Sequence, residues 1–507
     1  MKKYIMAYDL GTSGVKGAVV DLEGGVVATA TEGYPLYTPA PGYAEQDGEL
    51  YWQAVCKVTV AVLAKSGVLA EEIAGMAFGT LWKGIIPVDK QGRVLHNSII
   101  WLDARAGDQA ARLNARFGEG LFSGSDYWPK LLWLKENRPD VIEQAEMIFE
   151  VNSFLKWKAT GAAAMDASNS YVRSNDPEID ALFGDILDFC GIPRAKFPPL
   201  CRSTDLVGRV TDRGAAELGL VPGIPVFGGN NDIQAITVGA GCSEIGGVHM
   251  YFGSSGWTGY TIPHMPREIY ISPMDAQKDV FIFGSQAIGL SFNWAVNRFY
   301  AAERQQMGDD VFAFVDREIE SIPAGSEGVL ATPWFYGERP PLFGSEARGN
   351  FLNLSGLHDR RHMTRAIMEG VCYQLRMGQE YNAEHRGLVR PAVINVIGGG
   401  ACSAPWMQML SDIMNIPVCV PAATRHAGAV GTAYSALIGL GIVSDYAEAA
   451  RRLRIERIYE PIPDNVKVYE KTFQVFKGLF AALRPTFEQM NCQSGGQNHD
   501  ESCRQAP

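Results

Sequence analysis

The sequence predicts an α/β chain folded into two domains. Three observations carry this. With 507 residues, 47% of them hydrophobic, the chain is too long for one core and ample for two. Apolar strand-like runs alternate with helix-forming stretches along most of its length. The turn after the first strand, Gly11-Thr12-Ser13-Gly14, has an echo past the middle in Gly253-Ser254-Ser255-Gly256.

The opening reads as an antiparallel meander, with strands over 4–8, 15–20 and 26–30 and glycine turns at 11–14 and 24–25. A helix over 50–65 follows, capped by Asp47 and ended by Gly67. Strands are expected over 75–79 and 98–102, and a buried strand over 225–227. The latter feeds Gly228-Gly229-Asn230-Asn231-Asp232 and a helix over 233–240, closed by Gly241. The first domain is drawn as 1–245 and the second as 246–455, opening on a strand at 248–252 and a return at 257–262. A second strand with a glycine-rich end lies over 393–400. A C-terminal helix (456–490) and a polar, flexible tail (491–507) complete the chain.

Charged residues make up 20% of the chain and the net charge is −11, which excludes a basic nucleic-acid surface. A nucleotide site is not excluded, since backbone N–H groups hold phosphates. Nine cysteines are scattered with no C-x-x-C pair, the pattern of a reduced, cytoplasmic protein. No apolar leader and no long apolar run is present, so no membrane partner is expected.

Three constellations can carry chemistry. Asp9 ends an apolar strand and enters the turn Gly11, Thr12, Ser13, Gly14, whose N–H and hydroxyl groups suit phosphate oxygens. Asp9 itself suits hydrated Mg²⁺. Asp232 stands at the mouth of a helix, where the dipole favours the ionised carboxylate that a general base needs; the plainer reading is an N-cap. Gly398-Gly399-Gly400-Ala401 ends a strand ahead of a helix capped by Ser403 with Pro405 in its first turn. His358 and His362 lack the glutamate of a zinc helix, so no metal site is assigned to them.

Taken in order, these segments resemble the FGGY family of carbohydrate kinases over about residues 3–440. The matching segments are 9–14, 229–232, 253–256 and 399–401, with 41–47 resembling a stretch of the family's xylulose and gluconate kinases and 349–369 a family signature. The resemblance implies two ribonuclease-H/actin-like domains with a substrate cleft between them. It also implies ATP-dependent phosphorylation of a sugar or polyol hydroxyl, with Asp232 as base and Mg²⁺ held near Asp9 through water. ATP is expected at Gly11, Thr12, Ser13, Gly14, Gly253, Ser254, Ser255, Gly399, Gly400 and Ala401. The acceptor is expected near Trp82, Lys83, Trp101, Asp103 and Asp232. A homodimer is compatible with the pattern. Four departures from it stand out: Trp82-Lys83 in place of the usual Met-His, Tyr127 for a small residue or Pro, Asn353 for Gly, and His426 near the usual Glu. The leading reading is a sugar or polyol kinase most like the family's xylulose kinases, and the neighbouring one a kinase for gluconate or a related acid whose carboxylate meets Lys83. An actin-like ATPase or nucleotide-gated binding protein is the reading from another class.

Overall fold

In a computed structural model, which describes residues 2–265 and 272–491, the chain forms two units. Unit 1 takes in the residues up to Gly247 with Tyr260–Phe281 and Arg425–Arg454. Unit 2 takes in Val248–Gly259, Ile282–Thr424 and the described residues from Ile455 on, so the stretch 246–455 is shared between the units.

Unit 1 is built on a seven-stranded sheet. Its strands are β1 (Tyr4–Gly11), β2 (Gly14–Asp21), β3 (Val26–Gly33), β4 (Ile73–Thr80), β5 (Leu206–Arg209), β6 (Pro225–Phe227) and β7 (Asn230–Asn231). The order is β5-β6-β4-β1-β2-β3, with β7 also on β4. The expected meander is β1 to β3, and its first hairpin closes on the pair Gly11 and Gly14. Gly14 has to lack a side chain, because a Cβ there would stand 2.5 Å from the Glu32 carbonyl. Strand β4 is buried throughout and parallel to β1, β6 and β7, as its small and apolar sequence requires. Asp9 lies opposite Gly79, and Gly79 lies opposite Asn230. Asp9 and the segment entering Asp232 are therefore brought to one end of three adjacent strands, the carboxyl end where α/β sheets bind ligands.

The first helix is Gly48–Ser66, with Asp47 accepting from the Glu49 N–H and Gly67 in the left-handed conformation at φ 68°. The helices Asp232–Gly239 and Ala427–Gly439 meet on glycines. A Cβ on Gly431 would lie 1.8 Å from the Ala235 carbonyl, and one on Gly239 would lie 1.9 Å from that of Ala427. This close approach lays the Ala427–Gly439 helix on the carboxyl ends of β1 and β4. Gly428 and Gly79 are the clearance, for a Cβ would stand 2.6 Å from the Asp9 carboxyl carbon or 2.3 Å from Thr432 Oγ1. The strand expected over 98–102 is only Ser98–Ile99, paired with Glu45–Gln46. Beyond it the Asp103 N–H turns back to the Ile100 carbonyl at 3.1 Å, a turn held by the side chain of Asp103.

In unit 2, β8 (Val248–Phe252), the Gly256–Gly259 part of β9 (Gly256–Pro263), β10 (Ile394–Ile397), β11 (Val418–Pro421) and β12 (Ile455–Tyr459) run in the order β9-β8-β10-β11-β12. Strands β8, β10 and β11 are parallel and β12 antiparallel. Alternate residues Met250, Phe252, Val396, Val418 and Val420 face a core shared with Met368, Trp406, Tyr469 and Phe473 of the helices Arg360–Arg386, Ala404–Met414 and Pro463–Asn491. Residues 455–459 are thus a strand, and the last helix starts at Pro463. From 492 onward the expected tail lies outside the described residues. Among the described residues no helix is long and apolar enough to cross a membrane.

Candidate active site

At the end of β1, Asp9 Oδ2 lies 3.8 Å from Lys16 Nζ on the neighbouring strand. The turn after it is held from three sides. Gln46 donates to the Thr12 carbonyl at 2.7 Å, the Trp101 indole donates to Thr12 Oγ1 at 3.0 Å, and the Tyr34 hydroxyl donates to the Gly11 carbonyl. Trp101, an expected acceptor contact, therefore also fixes this turn. His426 stands near this group, with Nε2 3.4 Å from Thr29 Oγ1 and a buried Nδ1 that has no partner among the described residues. Burial, and then the charge of Lys16, lower its pKa and favour the neutral imidazole.

Asn231, not Asp232, caps the Asp232–Gly239 helix, its side chain accepting from the Gln234 N–H at 2.8 Å. Asp232 is the first helical residue and accepts one backbone bond, from Ile233 at 3.0 Å. The sequence reading took the helix mouth to favour the carboxylate. Instead, burial and then the negative charge of Asp9 push the carboxyl up to about 7, outweighing the dipole. The helix-mouth segment is rigid. Gly229 has φ 70°, and a Cβ there would sit 2.2 Å from the Phe78 carbonyl. Lys156, fully buried, donates to the Gly228 carbonyl at 2.8 Å. Asn230 bonds Thr432 and Ser435 at 3.0 and 3.1 Å. The Asn231 N–H donates to Ser168 Oγ at 2.8 Å, and Ser168 in turn donates to the buried Asp166. Sequence reasoning missed Lys156, Asp166 and Ser168. Their signal was weak, since an isolated Lys on an apolar helix or an Asp-Ala-Ser run looks like surface.

The expected acceptor residues divide. The Trp82 ring is 5.3 Å from Tyr171, and its indole N–H is buried without a partner among the described residues. Lys83 has φ 66° and its Nζ lies 2.5 Å from Asp126 Oδ1, both side chains largely buried. Burial raises the Asp126 carboxyl, but the charge and hydrogen bond of Lys83 overcome this and hold it below its usual value. Asp103 is closed off. It is fully buried and accepts from the Ala44 N–H at 2.6 Å and from Arg105 Nε and Nη2 at 2.9 and 2.7 Å, while Arg105 also bonds Glu45 at 2.7 Å. It supports the turn beside Trp101 rather than offering an open face to a ligand. Lys130, fully buried, donates to the carbonyls of Ile100 at 2.9 Å and Lys83 at 3.3 Å and so joins the two acceptor segments. Burial, and then the charge of Lys83, draw its pKa down to about 7.

In unit 2 the turn at Gly253, Ser254, Ser255 and Gly256 is held by N–H groups entering the Gly289–Phe299 helix. Gly289 donates to the Gly253 carbonyl at 2.9 Å and Leu290 to that of Ser254 at 3.0 Å. Gly399, Gly400 and Ala401 form a 3₁₀ turn (Gly399–Cys402) between β10 and the Ala404–Met414 helix, which Ser403 caps as expected. Gly398 takes φ 99° and would place a Cβ 2.6 Å from the Phe252 carbonyl. Asn353, at the signature position where glycine is usual, has φ 62°, a conformation that Asn tolerates better than most residues, and its side chain donates to the Gly328 carbonyl at 3.1 Å.

Residues 4–239 match the model of the FGGY family of carbohydrate kinases, N-terminal domain, and residues 251–440 match that of its C-terminal domain. The chain is similar to a xylulose kinase of Bacillus subtilis, 29% identical over 94% of this chain and 97% of that protein. It is also similar to an L-xylulose/3-keto-L-gulonate kinase of Escherichia coli, 28% identical over 96% of this chain and 98% of that protein. Its fold matches the solved structure of a gluconate kinase from Lactobacillus acidophilus with a TM-score of 0.82, at 23% identity over 97% of this chain and all of that one.

Proposed function

The chain belongs to the FGGY family of carbohydrate kinases, and from that premise we propose that its acceptor is a neutral ketose, its donor ATP and its general base Asp232. It is a xylulokinase-like phosphotransferase acting on a sugar hydroxyl. The observation that carries the choice of a neutral acceptor is the Lys83–Asp126 pair at 2.5 Å. Lys83 is the residue that would read a sugar acid, and its charge is already matched by a buried carboxylate. A second carboxylate there would bring another negative charge to a cation already paired with a largely buried carboxylate, and the two like charges would repel. Hydroxyls need no net charge from Lys83, only a donor.

Asp232 takes the proton of the attacking hydroxyl, and a carboxyl raised to about 7 is matched to that task at neutral pH. The oxygen then attacks the γ-phosphorus in line and ADP leaves. In unit 1 the N–H and hydroxyl groups of Gly11, Thr12, Ser13 and Gly14 donate to phosphate oxygens. In unit 2 Gly253, Ser254, Ser255, Gly399, Gly400 and Ala401 hold the nucleotide. Mg²⁺ fits at Asp9, whose hard carboxylate oxygens keep 13% of their side chain's exposure and whose charge acts unfavourably on Asp232. Bound there, the ion supplies neutralisation of phosphate charge. The expected setting is the cytoplasm.

Neutral ketoses and sugar acids, each offered with ATP and scored for ADP release, test the reading. Ketoses are expected to be phosphorylated and acids to be poor acceptors. An acid preferred over every ketose, with Lys83→Ala raising its KM far more than that of a neutral sugar, would reverse it.

A further inference from the structure

We propose that a cavity of unit 1 beside Trp82 is an extension subsite for the end of the acceptor remote from the reacting hydroxyl, and that the preferred acceptor is a neutral ketose of six or seven carbons. This rests on the reading of the chain as a ketose kinase. The cavity lies among Trp82, Ser168, Tyr171, Arg173, His264 and Asp279. Its wall is bonded to the segment that precedes Asp232. Ser168, in its wall, accepts from the Asn231 N–H at 2.8 Å and from Asn231 Nδ2 at 2.7 Å, and Asn231 immediately precedes Asp232.

Its lining suits a polyol chain rather than an ion. Trp82 and Tyr171 offer flat faces to C–H groups. The buried indole N–H of Trp82 has no partner among the described residues and is a donor available to a hydroxyl. Arg173 uses Nε and Nη2 on the carbonyls of Pro198 and Arg194, at 3.0 and 3.3 Å, and has no carboxylate partner among the described residues. Asp279 supplies the opposite charge, accepting from His264 Nδ1 at 3.0 Å and from the Met265 N–H at 2.7 Å. A carboxylate entering here would meet Asp279 as well as Arg173, whereas a hydroxyl can donate to one and accept from the other. The size is also bounded. The cavity has a water-accessible volume of about 50 Å³. A buried water needs about 10–15 Å³, so the space is that of roughly three or four waters, or about one or two CHOH units.

A second, independent observation points to the same place. Trp82 and Tyr127 are two of the four departures from the family pattern, and they are distant in sequence. Tyr127 stacks on Tyr171 at 5.0 Å and 15°, and Tyr171 lies 5.3 Å from Trp82. Both changes thus meet in one stack of rings at the wall of this cavity.

The test is kcat/KM, by ADP release, for ketoses of five, six and seven carbons with ATP. A filled subsite is worth about tenfold or more for the longer chain. The wild-type ratio of the best longer ketose to the pentulose should therefore be at least about tenfold. Ile179→Phe, which projects a ring into the cavity from the Pro177–Cys190 helix, should lower that ratio about tenfold. Trp82→Phe, which keeps a ring but deletes the donor, should lower it in the same direction and serves if the first variant does not fold. A pentulose preference that neither variant alters would overturn the subsite and leave ketose phosphorylation standing. Failure to phosphorylate a ketose of any length would remove the ketose reading and the subsite with it.

Discussion

Asp103 and Asp232, the two carboxylates the sequence reading expected beside the acceptor, lie in opposite electrostatic company. Asp103 is enclosed by a guanidinium and two backbone N–H groups, with Glu45 sharing the same Arg105. Asp232 accepts one backbone N–H and has Asp9 as a like-charged neighbour. A carboxylate satisfied this fully holds its turn in place. One that accepts a single backbone N–H and faces a like charge gains by taking a proton, as the base proposed above must. The difference separates architecture from chemistry better than the residue type does.

The strongest challenge to this contrast is Asp232→Asn. It should lower kcat by at least ~10²-fold while the KM values for ATP and acceptor change little, as steady-state kinetics would show. A variant that keeps wild-type turnover would remove Asp232 from the chemistry. Asp103→Ala should act the other way round. It leaves Arg105 buried beside Glu45 alone and should destabilise unit 1 by about 3–5 kcal/mol, measured as a lower urea midpoint. Loss of turnover in fully folded Asp103→Ala would show that this carboxylate touches the acceptor after all. The mildest test is pH. The base works only when ionised and titrates near 7, so kcat/KM should rise by about tenfold per pH unit below that value and level off above it. Asp9→Asn removes a charge that raises this pKa, so any residual activity should show its inflection at lower pH.

Much of the fold was legible because it rests on local rules. The 4–33 meander, the Asp47 cap, the Gly67 stop and the Ser403-Pro405 helix start depend on turn glycines and capping groups adjacent in sequence. The strand expected at 98–102 failed for a reason the local pattern does not contain. Its apolar residues are followed by an Asp-Ala-Arg run whose ion pair bends the chain back on itself. The site was legible as a set of segments, since each ends a strand in small residues. Lys83 was legible as a cation, but its partner Asp126 lies 43 positions on and belongs to no motif.

By itself, the sequence determined where the backbone turns, through φ freedom and capping, and which family the chain resembles, through its motifs in order. Only the tertiary structure decided what each charged group does. Proton affinity depends on the charges and the solvent around a group, and these come from residues far apart in the chain. Register across β1, β4 and β7 brings Asp9 to Asp232, and burial there leaves a carboxyl that titrates near 7. The same kind of long-range packing brings Arg105 to the side of Glu45 and Lys83 to Asp126.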